Sequence, residues 1–117
     1  MKLNKDCPFC KIIKGEIPAK LVYEDENTFA FRDINPQAPT HVIVVPRVHV
    51  ERISDITAQN AKIISDMILT ANSIAIQERC DKSGYRLVIN CNDDGGQTVY
   101  HIHIHLLGGR RMLWPPG

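Results

Sequence analysis

Apolar residues recur along the chain with two different periods, and the periods name the elements. In CPFCKIIKG, Phe9, Ile12 and Ile13 recur at helical spacing, Pro8 stands near the start and Gly15 follows the end, which predicts a short helix. AKLVYED and TFAFRDI read as two strands joined by a turn at Glu26–Asn27. HVIVVPR reads as a third strand, nearly continuous in β-branched residues and ended by Pro46. Over residues 57–80 the spacing changes to three and four, at Ala61, Ile64, Met67, Ile68, Ala71, Ile74 and Ala75. That is one face of a long helix, with Thr57 or Ser54 as its cap. GYRLVINC reads as a fourth strand and YHIHIHLLG as a fifth with strict alternation, separated by the polar, Gly-rich loop NDDGGQT. Short connections favour antiparallel neighbours, so the pattern predicts an α+β fold: an antiparallel five-stranded sheet with one long and one short helix.

Composition narrows the partners. The 117 residues suit one domain, 1–117, with no repeat and no linker to divide it. Fourteen basic residues against thirteen acidic ones give a formal charge of +1, which supplies no basic stripe for nucleic acid or an anionic membrane. A negatively charged ligand must be held by local groups. No apolar run is long enough to span a membrane, and MKLNKDCPFC lacks the apolar segment of a signal peptide, so a cytoplasmic location is expected. A reducing compartment disfavours structural disulfides. Cys80 and Cys91, each near apolar residues, are expected to pack as small hydrophobes. Trp114, in the irregular tail RRMLWPPG, needs a surface to cover, on its own domain or on a second subunit.

The chemistry concentrates in TVYHIHIHLLGG, which holds three of the five histidines at alternate positions. On a strand, His101, His103 and His105 share one face, roughly 6.6–6.8 Å apart, and Ile102, Ile104 and Leu106 face the long helix. Three readings compete: a wet strand face, a metal site of the His-x-His kind, and a catalytic device. An imidazole is neutral near physiological pH and serves as nucleophile or proton carrier, including covalent attack on phosphorus. Just upstream, Gly95 and Gly96 let main-chain amides approach an anion, and Asn90, Gln97 and Thr98 add uncharged donors. CPFC offers two thiolates at a spacing common in zinc sites, for which His49 and His101 are the available further ligands. A redox pair would want a thioredoxin-like βαβ unit, which the pattern lacks, and two unbridged thiols remain the third option.

YHIHIHLLGGR resembles the His-φ-His-φ-His-φ-φ motif (φ, apolar) of the histidine triad (HIT) family. DINPQAPTHVIVVPRVH and the closing RRMLWPPG are similar to its Hint branch, the histidine triad nucleotide-binding proteins, and the likeness runs from about residue 7 to the end. The resemblance implies a HIT-like domain and a homodimer with the tail 108–117 at its interface. It implies binding of purine nucleoside monophosphates and hydrolysis of their phosphoramidates, with no catalytic cation required. By position, His103 is the nucleophile, and His105, Asn90, Gln97 and Thr98 contact the phosphate with Gly96 in the same loop. The family often has Ser at the Thr98 position, and the hydroxyl is kept. Asp33 takes the ribose hydroxyls beside Ile34; Phe9, Ile12, Phe31 and Ile43 line the base slot; His41 orients the catalytic histidines. A CxxC-bearing subset binds structural Zn2+ through positions matching Cys7, Cys10, His49 and His101. Plainer roles exist for several of these: Asp33 as a turn residue, Phe31 and Ile43 as core, Asn90 as a strand end. Rival activities are dinucleoside polyphosphate hydrolysis, which LLGGR and WPPG oppose, and nucleotide binding without catalysis. A nucleotide-transferring branch has Gln where this chain has His105.

Overall fold

The computed structural model describes residues 4–117. The elements follow in the order α1 (Pro8–Ile13), β1 (Leu21–Glu24), β2 (Thr28–Arg32), β3 (Thr40–Pro46), a 3-10 turn (Ile53–Asp55), α2 (Lys62–Gln77), β4 (Tyr85–Val88) and β5 (Ile104–Gly108). The strands form one five-stranded sheet in the order β1-β2-β3-β5-β4, and every neighbouring pair is antiparallel. The α+β architecture expected from the pattern is the one observed.

Both faces of the sheet are covered, each by its own helix. On one face Ala30, Val42, Val44, Ile104 and Leu106 pack with Met67, Ala71, Ile74 and Ala75 of α2. On the other face Phe29, Phe31, Ile43 and Val45 pack with Cys7, Phe9 and Cys10 of the α1 segment. The alternation of β3 explains this: Val42 and Val44 point one way, Ile43 and Val45 the other, and the whole strand is buried. The smaller α1 face carries the chemistry.

Several local expectations need correction. The fifth strand begins at Ile104, so His101 and His103 lie ahead of the ladder. The register pairs Val44 with Ile104, and two residues on Pro46 has no N–H to continue it. Its carbonyl instead faces Nε2 of His101 at 2.8 Å, and the His101 carbonyl faces Nδ1 of His103 at 2.7 Å. Side chains take over where the ladder stops.

The long helix begins at Lys62 and ends at Gln77, shorter than 57–80, and its N-cap Ala61 makes no side-chain bond. Asn60 reaches back to accept the Thr57 N–H at 2.6 Å, which holds residues 57–60 in a separate turn. Ser54 lies in the 3-10 turn and caps nothing. Its Oγ meets the Cys91 thiol at 3.5 Å, so Cys91 is half-buried with a polar neighbour, whereas Cys80 is buried as expected. Ala61 and Ile68 of the expected apolar face are exposed.

Candidate active site

His103 is buried against the edge of Phe9, ring centroids 5.0 Å apart, and lies 5.0 Å from the His105 ring. A carbonyl only accepts, so the His101 carbonyl requires that His103 carry its proton on Nδ1. Nε2 is then a bare lone pair. It makes no hydrogen bond, and no fully buried side-chain nitrogen or oxygen among the described residues lacks a partner, so Nε2 reaches the surface. Burial lowers the His103 pKa, partly opposed by the bond to His101 and the charge of Asp33. A neutral imidazole with an accessible lone pair is what nucleophilic attack needs.

His105 pairs with Ile43 across the β3–β5 ladder, and His41 sits diagonally from it, opposite Leu107. Diagonal neighbours are within reach of ring side chains: Nε2 of His41 is 2.9 Å from Nδ1 of His105. Burial, with smaller contributions from His103 and His41, lowers the His105 pKa to about 4. Burial also lowers that of His41, against the charge of Asp33. Asp33 follows β2, accepts the Asn35 N–H at 2.8 Å through Oδ1, and places Oδ2 3.4 Å from His41 Nε2. It is thus both a turn residue and a member of the histidine chain. A cleft of about 570 Å³ opens beside it, lined by Pro18, Lys20, Arg32, Asp33, Ile34 and His41, a size that suits a small organic ligand. Ile34 is 98% exposed at its rim. Phe9, Phe31 and Ile43 are buried in the cluster under α1, with Ile12 half-buried against it; neither these four nor His103 and His105 line the cleft.

The loop before the histidines is tied down from inside. Gln97 is buried; its amide donates to the carbonyls of Glu51 at 2.8 Å and Val99 at 3.0 Å, and its oxygen accepts the Asn92 N–H. Asn90 donates to the Gly95 carbonyl at 2.6 Å. These two side chains therefore shape the loop, while Thr98 is exposed and Gly96 adopts φ +78°. A side chain on Gly95 would run into the Cys91 main chain.

His101, by contrast, is fully buried in a second cluster. Its Nε2–H donates to Pro46, so Nδ1 is the lone pair, and that atom faces Cys7 Sγ at 3.4 Å, Cys10 Sγ at 3.5 Å and His49 Nδ1 at 3.2 Å. Cys10 Sγ lies 3.4 Å from His49 Nδ1. A tetrahedral ion with zinc's bond lengths separates S from N by about 3.5 Å and N from N by about 3.3 Å. The four donors match that spacing, and the spare nitrogen of His101 meets a carbonyl, as metal-bound histidines do. The cluster fits a metal ion.

The HIT domain family matches residues 14–112. The chain belongs to the HIT family. A purine nucleoside phosphoramidase of Escherichia coli K12 is 50% identical over 104 residues, 89% of this chain and 87% of the relative. A 14 kDa zinc-binding protein of Zea mays is 50% identical over 111 residues, 93% of this chain and 86% of the relative. A HIT family hydrolase of Legionella pneumophila superposes with a TM-score of 0.94 at 52% identity, covering 96% of this chain and all of that one. Within the HIT fold, sequence reasoning missed the groups that set the site's protonation: the carbonyls of Pro46 and His101 and the amide of Gln37. Main-chain groups leave no signature in a sequence.

Proposed function

We propose that the protein hydrolyses purine nucleoside phosphoramidates, releasing the nucleoside monophosphate from its amine through a nucleotidyl intermediate on His103. The observation that carries this is the fixed tautomer of His103: Nδ1–H locked to the His101 carbonyl at 2.7 Å, with Nε2 left as an accessible lone pair within range of the Asp33 charge. Nε2 attacks the α-phosphorus, the P–N bond breaks, and the amine leaves with one proton taken from solvent, which the later attack of water returns. Water then attacks the phosphorus, the P–Nε2 bond breaks, a water proton is released, and His103 regains its lone pair. His105 contacts the phosphoryl oxygens, Asp33 accepts from the ribose hydroxyls, and the base lies against Ile34 in the same cleft. The phosphoramidase relative, 50% identical over 104 residues, supports this substrate class.

Zn2+ is assigned to Cys7, Cys10, His49 and His101, where it supplies structural cross-linking between α1 and the segments flanking β3 and β5. A homodimer is assigned on exposed apolar residues that this chain leaves bare: Leu113 and Trp114 of the tail, 75% and 82% exposed, which puts the tail 108–117 at the interface. No described helix is long and apolar enough to cross a membrane, consistent with cytoplasmic work on nucleotides.

The test is turnover of a fluorogenic adenosine phosphoramidate by the protein and by His103→Ala. Turnover lost in the variant, with AMP binding retained, supports the reading. No turnover by the wild type removes the hydrolase, and undiminished turnover by the variant removes His103 as nucleophile.

A further inference from the structure

Two clusters here look like metal sites: Cys7, Cys10, His49 and His101, and Asp33, His41 and His105, whose candidate donor atoms also lie within 4.8 Å of one another. What separates them is the main-chain group behind a histidine. Behind His101 stands a carbonyl, 2.8 Å from Nε2. Behind His41 stands an amide: the Gln37 N–H points at Nδ1 from 3.0 Å.

We propose that the Gln37 amide, braced by Arg110, fixes the tautomer of His41 and thereby commits the Asp33–His41–His105 cluster to proton transfer instead of metal binding. An amide N–H only donates, so Nδ1 of His41 must be the lone pair and Nε2 must carry the proton. Nε2 faces two acceptors, His105 Nδ1 at 2.9 Å and Asp33 Oδ2 at 3.4 Å, which agrees with a proton there. The opposite tautomer would oppose two hydrogens across 3.0 Å and turn a lone pair toward a carboxylate. Because His105 accepts at Nδ1, its own proton sits on Nε2. His105 therefore presents a donor at Nε2, its ring 5.0 Å from that of His103. For His41 to ligate a metal through Nε2, its proton would have to move to Nδ1, into the Gln37 N–H. The amide blocks that state.

The amide is held from several directions. Arg110 donates from Nε to the Gln37 carbonyl at 3.0 Å and from Nη1 to its neighbour's carbonyl, Arg111, at 3.1 Å. The Gln37 side chain donates to the Asn35 carbonyl at 2.9 Å. The tail turns toward this loop at Gly109, φ +88°, where a Cβ would stand 2.9 Å from Pro39. Gln37 and Arg110 are positioning residues: neither needs to touch substrate to set what His105 presents to it.

The kinetic arm of the test rests on the phosphoramidase reading; the spectroscopic and metal arms do not. Long-range 1H–15N correlation of the histidine rings in the 15N-labelled wild type at neutral pH should show His41 protonated at Nε2 and bare at Nδ1. Gln37→Pro removes the donor. It should mix or invert that tautomer, raise zinc binding from one equivalent per chain to two, and lower kcat about 10-fold, the worth of one hydrogen bond, with KM little changed. Arg110→Ala, milder because the residue is exposed, should move the same readouts in the same direction. A wild-type His41 protonated at Nδ1 overturns the proposal, whether or not the variants fold. So does a folded Gln37→Pro that keeps the tautomer and the single zinc. A wild type without phosphoramidase turnover leaves the ring and metal readouts to decide.

Discussion

Stripping the metal from the Cys7–Cys10–His49–His101 cluster should cost the protein a large part of its thermal stability without dissolving its sheet. The helix α1 has six residues, too few to persist alone, so it depends on what ties it to the sheet. Two attachments do so: the Phe9 ring packed on Phe31 and His103, and the four-ligand cluster. A ligand held at about 1,000 times its dissociation constant stabilises the folded state by about 4 kcal/mol. At roughly 3–5 °C per kcal/mol for a chain of this length, chelation should lower Tm by about 12–20 °C. The larger core, Met67, Ala71 and Ile74 against Val42, Val44, Ile104 and Leu106, contains no ligand of the cluster, so secondary structure below the transition should persist. Turnover should fall with the metal, because His103 leans on the His101 carbonyl and on Phe9. The probe should be circular dichroism or calorimetry, since the single tryptophan, Trp114, lies in the tail outside both cores and would report the proposed interface instead of the sheet. A protein shown by metal analysis to be loaded, whose Tm is the same after chelation, would refute the reasoning.

Acid should weaken the fold through the catalytic histidines. An unfolded histidine titrates near 6.5, whereas burial holds His105 to about 4. Between those values the unfolded chain binds more protons, so stability is full above about pH 6.5 and falls as pH drops toward 4; His105→Gln should flatten Tm against pH in that window, and an unchanged slope would sink the assignment. Phe9→Ala should cost about 3–5 kcal/mol in denaturant unfolding and reduce kcat by unseating His103; a stable variant with normal kcat would show that the ring supports neither. Gly95→Ala should force the loop off the Cys91 main chain, costing about 1–3 kcal/mol and raising KM for nucleotide. Trp114→Ala with Leu113→Ala should weaken self-association, read as a smaller mass in light scattering; a wild type monomeric at micromolar concentration would refute the interface.

The sequence disclosed most where a side chain must do the work. Alternation in HVIVVPR and the three- and four-residue spacing around Met67, Ala71 and Ile74 reflect burial, which acts on residue type, so the sheet and α2 could be read directly. The cysteine pair likewise meets His49 and His101 in space, as its spacing suggested. Boundaries were harder, because Asn60 and Pro46 end or delay elements through one hydrogen bond made or missing. The single face expected of the triad is the one observed, with Ile102, Ile104 and Leu106 in the α2 core and His101 and His103 against Phe9, but the strand expected to carry it is shorter. His101 and His103 stand ahead of the ladder, and each ring answers to a different carbonyl.

That difference explains how near-identical residues divide the labour. Alternation places the imidazoles side by side but says nothing about which nitrogen of each carries the proton. The main chain decides it. A carbonyl behind Nε2 turns the lone pair of His101 toward two thiols and a second imidazole. A carbonyl behind Nδ1 turns the lone pair of His103 outward. His105, with no main-chain partner, takes its state from His41, and so from the Gln37 amide four residues earlier in the chain than His41. One residue type repeated at fixed spacing thus presents different atoms to its surroundings, through the Pro46 and His101 carbonyls and, by way of His41, the Gln37 amide, and a change that moves one of those groups should alter the proposed roles of ligand, nucleophile and donor while leaving every histidine in place.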